Sequence, residues 1–154
     1  MTPLLLALTL AAAPAPSLAG TWTLVSVDNV FADGRHTQPY GPHPAGLLTL
    51  DADGRYSVHI FRPDGVRFAS GDKSRGTPEE YRAAVQRANT HFGTYSVGDG
   101  VIAFRIERAL FPNWEGIEQK RVFTLDGDLL RYTVRTTTTT GGTEIGEVTW
   151  RRAR

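Results

Sequence analysis

The feature that most constrains this chain is a two-residue alternation of apolar and polar side chains, which recurs in eight separate segments. In the first segment, Trp22 and Leu24 alternate with Thr21 and Thr23, in a composition typical of strands. Asp-Gly pairs and other short turn signals separate several of the segments, and they favour tight hairpins through positive φ. The predicted strands cover about residues 20–27, 46–51, 55–62, 92–98, 101–109, 117–125, 129–136 and 143–151.

One segment has helical periodicity instead. Thr77 is a good N-cap, Pro78 suits the first helical position, and Glu80 completes a capping box. An apolar stripe at helical spacing follows, so we predict one amphipathic helix near residues 78–89. Eight meander-like strands with one helix predict an all-β domain, an eight-stranded antiparallel up-and-down barrel with one short α-helix. A barrel of this size holds its own side chains or one small ligand.

Composition narrows the classes of function. The chain has 154 residues, which suits one domain, and a formal net charge of +1, which indicates no nucleic-acid partner and no broad attraction to acidic lipid. It contains no cysteine, which excludes disulfides, thiolate zinc sites and cysteine nucleophiles. The threonine run 136–140 and the turn signal "TGGT" at 140–143 are interpreted as a strand end and a loop.

The N-terminus is rich in apolar residues. The run from Leu4 to Ala13 has the length of a signal-peptide core and is too short to span a bilayer. The small residues around Leu18 suit cleavage before Gly20. We therefore expect a signal peptide over 1–19, a barrel domain over 20–154 without an integral membrane segment, and a periplasmic or secreted protein. A retained apolar arm or a misassigned start codon are the alternatives.

Several stretches carry a resemblance to a known family. The first predicted strand opens with "GTW" at 20–22, and the last contains "WRR" at 150–152. With "HFGTYSV" and "LFPNWEGIEQKRVF" between them, they resemble the bacterial and fungal lipocalin-like domain family over about residues 20–152. The resemblance implies a calycin-type ligand-binding barrel with a tryptophan at its base under a late arginine. We expect Trp22 and Trp150 at one end of the barrel and the helix closing or flanking the other end. Some related barrels are isomerases or cyclases.

The segment "ALFPNWEGIEQKRVF" at 109–123 joins two predicted strands. Pro112 ends the first strand, Gly116 frees the backbone to turn, and Trp114 is expected to fold over the barrel mouth. On the second strand, Gln119 and Arg121 share a face with apolar residues, which predicts that both point into the barrel.

Glu107 is expected opposite Arg121 on the neighbouring strand. An inward pair would be either a polar anchor for a ligand or an internal salt bridge that fixes strand register, and the sequence leaves both open. The apolar parity of Ile102, Phe104 and Ile106 instead puts Glu107 outside, unless a bulge intervenes.

The histidines do not have the spacing of a metal site, so no metal and no cofactor are predicted. His36 and His43 lie in a loop that is expected to be exposed. His59 lies in a strand, facing either the lumen or the outside, and His91 lies near one rim. The candidates for acid–base chemistry are His59, His91, Tyr95, Glu107 and Glu118.

The function predicted is lipocalin-like binding of a small hydrophobic or amphipathic molecule in the barrel cavity. The alternatives are an isomerase or cyclase that acts by acid–base chemistry in the same cavity, and an interaction module whose interior is filled by its own side chains. The oligomeric state is left open. The predicted ligand-binding residues are Arg121, Glu107, Gln119, Trp114, His59 and Tyr95.

Overall fold

The computed structural model describes residues 17–134 and 145–154. Its strands form one antiparallel sheet in the order β2-β1-β3-β4-β5-β6-β7-β8-β9, and pairing of β1 with β9 closes the sheet into a barrel. Because β2 has only two residues, the barrel has eight long strands, which confirms the predicted fold. The elements are β1 Gly20–Val30, β2 His36–Thr37, β3 Ala45–Leu50, β4 Arg55–Phe61, α1 Pro78–Gln86, β5 Ala88–Gly98, β6 Val101–Ala109, a 3-10 turn Pro112–Trp114, β7 Glu118–Asp126, β8 Leu129–Val134 and β9 Ile145–Arg152.

The helix α1 is capped as predicted but is shorter. Thr77 accepts a hydrogen bond from the Glu80 backbone, and the Glu80 side chain accepts one from the Thr77 backbone. The prediction that the helix reaches residue 89 was wrong, because Ala88 and Asn89 already pair with β4. Pairing with a neighbouring strand outweighs a helical pattern that lacks a terminating glycine. No residue of α1 is buried, so the helix flanks the barrel.

The base of the barrel is closed by residues from both ends of the described chain. Trp22 and Trp150 are fully buried there, and the Arg152 guanidinium lies 4.1 Å above the Trp22 ring. Leu18 is 3% exposed, and its carbonyl accepts a hydrogen bond of 3.0 Å from Trp22 Nε1. Arg152 also donates to the carbonyl of Ala19 at 2.8 Å. Residues just before β1 therefore belong to the folded domain.

A β-bulge interrupts the pairing of β5 with β6. Phe92 pairs with Arg108 and the adjacent Gly93 pairs with Ile106, which leaves Glu107 as the extra residue. A Cβ atom on Gly93 would lie 2.0 Å from the backbone oxygen of Arg105. The close approach of the two strands at the bulge therefore requires glycine at this position.

Within residues 17–134 and 145–154, no helix is long and apolar enough to cross a membrane. The apolar run from Leu4 to Ala13, the threonine run 136–140 and the turn signal at 140–143 lie outside the described residues.

Candidate functional site

The barrel encloses a cavity of about 80 Å³ towards the rim opposite the buried tryptophans. Its apolar wall comes from β1, β4, β6, β8 and the 3-10 turn, because each of these elements turns one face inward. The aromatic rings on this wall meet edge to face or at a tilt, as Phe104 does with Tyr132 at 6.2 Å. The apolar wall includes Val27, Val58, Ile60, Phe104, Trp114 and Val134.

Polar side chains also line this cavity. Among the described residues, Arg121 is the only one on the wall that carries a formal charge at neutral pH. Its guanidinium donates a hydrogen bond from Nη2 to Oε1 of Gln119, two residues earlier on the same inward face of β7. Burial lowers the pKa of Arg121, although arginine remains charged at any physiological pH. The polar wall includes Asn29, Asn89, His91, Gln119, Arg121 and Tyr132.

Two amide atoms of the cavity wall are buried without a hydrogen-bond partner among the described residues. They are Nδ2 of Asn29, a donor, and Oδ1 of Asn89, an acceptor. Buried polar atoms of folded proteins are nearly always satisfied, so these two atoms are exceptions at the wall of this cavity.

His91 is 8% exposed and lies between β4 and the 3-10 turn. A hydrogen bond of 2.9 Å joins its Nδ1 to Oη of Tyr56, and its ring lies 6.0 Å from that of Trp114 at nearly a right angle. Burial, reinforced by the positive charge of Arg121 and by His59, lowers the pKa of His91 to about 4. His91 is therefore a neutral imidazole at neutral pH.

The cavity adjoins a wider depression, here called the vestibule. The vestibule has a volume of about 440 Å³ and lies between α1, the start of β5 and the 3-10 turn. Tyr40, Asn89 and Trp114 line both spaces, so they stand where the two meet. Exposed apolar side chains of Val85, Leu110 and Phe111 line the vestibule.

The predicted pairing of Glu107 with Arg121 was wrong. Glu107 is the bulge residue of β6, and its carboxylate accepts two hydrogen bonds from Arg55, at 2.8 and 3.1 Å, on the outer surface. The alternation of Ile102, Phe104 and Ile106 is the pattern that the strand follows. Arg121 does point inward, but without Glu107 as its partner.

The other predicted site residues lie in three different places. Trp114, Gln119 and Arg121 are brought together at the cavity. His59 is exposed on the outer face of β4, which resolves the face that the sequence left open. Tyr95 lies on the inner face near the base, where its hydroxyl donates a 2.8 Å hydrogen bond to the carbonyl of Asp51. Neither His59 nor Tyr95 lines the cavity.

Sequence reasoning missed three tyrosines at the site: Tyr56, which hydrogen-bonds the wall residue His91, and Tyr132 and Tyr40, which line the cavity. The first two share strand parity with buried aliphatic neighbours, which is a signal that could have placed them inside. Tyr40 comes from a loop, where no periodicity applies. Across the two described ranges, no group of three or more histidine, aspartate or glutamate side chains could hold a metal ion.

Several known proteins are similar to this chain. A 4'-hydroxy-3'-methoxypropiophenone carrier protein of Aspergillus oryzae is 27% identical over 105 residues, covering 62% of this chain and 95% of that protein. A lipocalin-like protein from Bacteroides uniformis is 16% identical, covering 88% of this chain and 98% of that one with a TM-score of 0.47. A redesigned β-barrel is also 16% identical, covering 89% and 92%, with a TM-score of 0.43.

The sequence model of one protein family, described as the Lipocalin-like domain, matches residues 19–153. That range includes every strand of the barrel, and with them Trp22 and Trp150 of the base. The chain therefore belongs to the lipocalin-like domain family.

Proposed function

We propose that the protein binds a small, mostly apolar molecule with one polar end in the barrel cavity. One observation carries this proposal: the cavity, where Arg121 is the single charged wall residue among those that the structure describes, opens next to an apolar vestibule. Binding sites for small molecules are typically apolar hollows with a few convergent polar groups that fix orientation. Asn29 and Asn89 add polar groups to the same wall.

The sizes of the two spaces suggest how such a ligand lies. The cavity, at about 80 Å³, is smaller than the roughly 300–1,000 Å³ typical of small-molecule sites. The vestibule adds about 440 Å³. We expect the polar end to reach Arg121 and Gln119, while the apolar body extends past Trp114 towards Phe111.

The name of the Aspergillus relative supports this class of function. That protein is named as a carrier of a hydroxylated and methoxylated phenyl ketone, which is a small aromatic molecule with oxygen substituents. A ligand of that kind, flat and mostly apolar, suits a wall that includes Phe104 and Trp114.

The test uses N-phenyl-1-naphthylamine, a neutral fluorophore that brightens in apolar surroundings. We expect saturable binding by the natural protein. Phe111→Ser should weaken that binding by about tenfold, since the side chain supplies apolar contact area in the vestibule. Phe111 is 40% exposed, so the barrel should still fold.

Val122→Ser is the matched control. Val122 is also a large exposed apolar residue, at 53%, but it lies on the outer face of β7. Its replacement should leave the affinity for the fluorophore unchanged. No saturable fluorescence with the natural protein, or an equal loss in both variants, would contradict binding in the barrel.

The alternative function, an isomerase or cyclase that works by acid–base chemistry, is favoured by His91. A neutral imidazole at the cavity wall is able to take a proton from the carbon beside a ketone carbonyl, while the enolate oxygen that forms is held by Arg121. With a β,γ-unsaturated ketone the enolate is a dienolate, and return of the proton to its γ carbon completes an isomerisation. Deuterium uptake by 2-acetylnaphthalene in heavy water, lost in His91→Gln, would support this function, and uptake no faster than in buffer would exclude it for this ketone.

A further inference from the structure

We propose that the polar end of the ligand is an oxyanion carried by an aromatic ring, either a carboxylate or a phenolate, and that Arg121 is its counter-ion. This inference rests on the proposed binding function and deepens it, because it specifies the charge of the molecule that the cavity selects.

The charge of the cavity wall is the first argument. Among the described residues that line the cavity, Arg121 is the only ionised side chain, and its hydrogen bond goes to the neutral amide of Gln119. No carboxylate in the described ranges lies within 4.0 Å of its guanidinium. A cation in a small, partly dry chamber is unfavourable without a partner, so an anionic ligand removes an existing cost.

Two acidic residues of β6 and β7, Glu107 and Glu118, are paired with other cations. Glu107 is paired with Arg55 on the outer surface. Glu118 follows the outward parity of β7 and lies 3.8 Å from the ammonium of Lys120. Among the residues that the structure describes, neither carboxylate is placed to neutralise Arg121 from within the barrel, so a ligand is able to take that role.

The neutral groups around Arg121 also suit an oxyanion. Burial raises the pKa values of the Tyr56 and Tyr132 hydroxyls, so both remain protonated and do not supply an anion of their own. Burial lowers the pKa of His91, so it adds no second cation. The amide nitrogen of Asn29 is an unused donor on the same wall. The wall therefore offers one permanent positive charge and neutral donors around it, which favours a single negative oxygen group.

The shape of the wall favours an aromatic ring behind that oxygen group. His91 stands at nearly a right angle to both Phe104 and Trp114, at centroid distances of 6.4 and 6.0 Å. Rings arranged in this way present edges and faces to the cavity between them, and a flat ligand gains contact with both. The guanidinium fork pairs two oxygens of a carboxylate or one phenolate oxygen.

The test compares isosteric ligands in chloride-free buffer. 2-Naphthoate carries the anion, 2-acetylnaphthalene is its neutral counterpart, and 2-naphthol reports its own ionisation by its absorption spectrum. We expect 2-naphthoate to bind about tenfold or more tightly than 2-acetylnaphthalene, as hydrogen bonds to charged groups allow. Arg121→Met should abolish that preference and leave the affinity for 2-acetylnaphthalene within about threefold.

Lys120→Met is the matched control, because Lys120 is the neighbouring cation on the outward face of β7. It should retain the preference for the anion. The absorption spectrum of naphtholate from bound 2-naphthol, at a pH where the free compound is neutral, would show that the oxyanion is a phenolate. A preference for 2-naphthoate without that spectrum would show that it is a carboxylate.

The outcomes separate the two proposals. Equal affinity for the naphthoate and the ketone, or a preference that survives Arg121→Met, would overturn the oxyanion and leave cavity binding in place. Failure of all three compounds and of N-phenyl-1-naphthylamine would overturn the binding function itself. Circular dichroism of each variant confirms that the barrel is folded before affinities are compared.

Discussion

The buried His91 makes the stability of the barrel depend on pH in a way that one substitution should remove. Its pKa falls from 6.5 to about 4 in the folded protein, mainly through burial. Between these values the unfolded chain binds a proton that the folded chain does not, so acid favours unfolding. The free energy of unfolding should therefore decrease as the pH falls from about 6.5 to about 4.

The size of the effect follows from the two pKa values. The difference between 6.5 and about 4, at about 1.4 kcal/mol for each pH unit, corresponds to about 3 kcal/mol. Most of this loss should be present at about pH 4.5, before His91 itself is protonated in the folded state. A domain of ordinary stability has only about 5–15 kcal/mol to lose, so the change is large enough to measure.

The assay is urea unfolding of the natural protein and of His91→Gln, from about pH 7.5 down to about pH 4.5. Glutamine does not titrate, and its amide is able to hydrogen-bond Tyr56 in place of Nδ1. Carboxylates such as Asp72 and Glu80, whose pKa values are lowered by hydrogen bonds, affect both proteins alike. The natural protein should lose about 2–3 kcal/mol more than the variant. Parallel curves for the two proteins would refute the reasoning.

Two further predictions concern the fold. In urea unfolding, Gly93→Ala should destabilise the barrel by about 1–3 kcal/mol, because its Cβ would lie 2.0 Å from the Arg105 carbonyl oxygen. Gly98→Ala is the control on the same strand: a Cβ there would have no atom within 4 Å, so stability should change by less than about 1 kcal/mol. Equal effects of the two substitutions would contradict this account of the bulge. Leu18→Ala should lower the free energy of unfolding by about 2–4 kcal/mol, because the side chain is buried at the base. A melting temperature unchanged in Leu18→Ala would show that the base is closed without Leu18.

Much of the fold could be predicted because strand periodicity and hairpin chemistry are local properties. Residues that are close together in the sequence determine the alternation along β6 and β7 and the capping box of α1. The end of α1 is different. Ala88 and Asn89 continue the helical pattern, but they pair with Phe61 and Ile60 of β4, and that pairing is not visible in their own neighbourhood.

The candidate site could be predicted only in part, for a related physical reason. The inward direction of Arg121 follows from alternation along β7, but its partner depends on the register between strands. Arg121 pairs with Ile102 of β6, so Glu107, further along that strand and on its outer face, meets Arg55 instead. Asn29 and Asn89 meet the cavity from strands that are not neighbours, so only the closed barrel brings them to the same cavity.

Export through residues 1–19 stays a prediction. The contacts at the base of the barrel bear on where a signal peptidase would cut the chain. The carbonyls of Ser17, Leu18 and Ala19 accept hydrogen bonds from Arg152 and Trp22. Cleavage before Gly20 would remove these three acceptors along with the Leu18 side chain. If the chain is exported, a cut on the N-terminal side of Ser17 would preserve the base, and the mass of the secreted protein would locate it.

The bulge at Glu107 also bears on how related sequences are able to differ in length. Ile106 and Ala109 both face the interior, and the extra residue is taken up between them. Loss of Glu107 would restore plain alternation and leave Arg108 outside, so a one-residue gap in an alignment is tolerable at this point. Loss of Phe104 would instead turn Arg105 towards the cavity and place a second cation beside Arg121. The position of a one-residue deletion in β6 therefore decides whether a related protein keeps the same cavity.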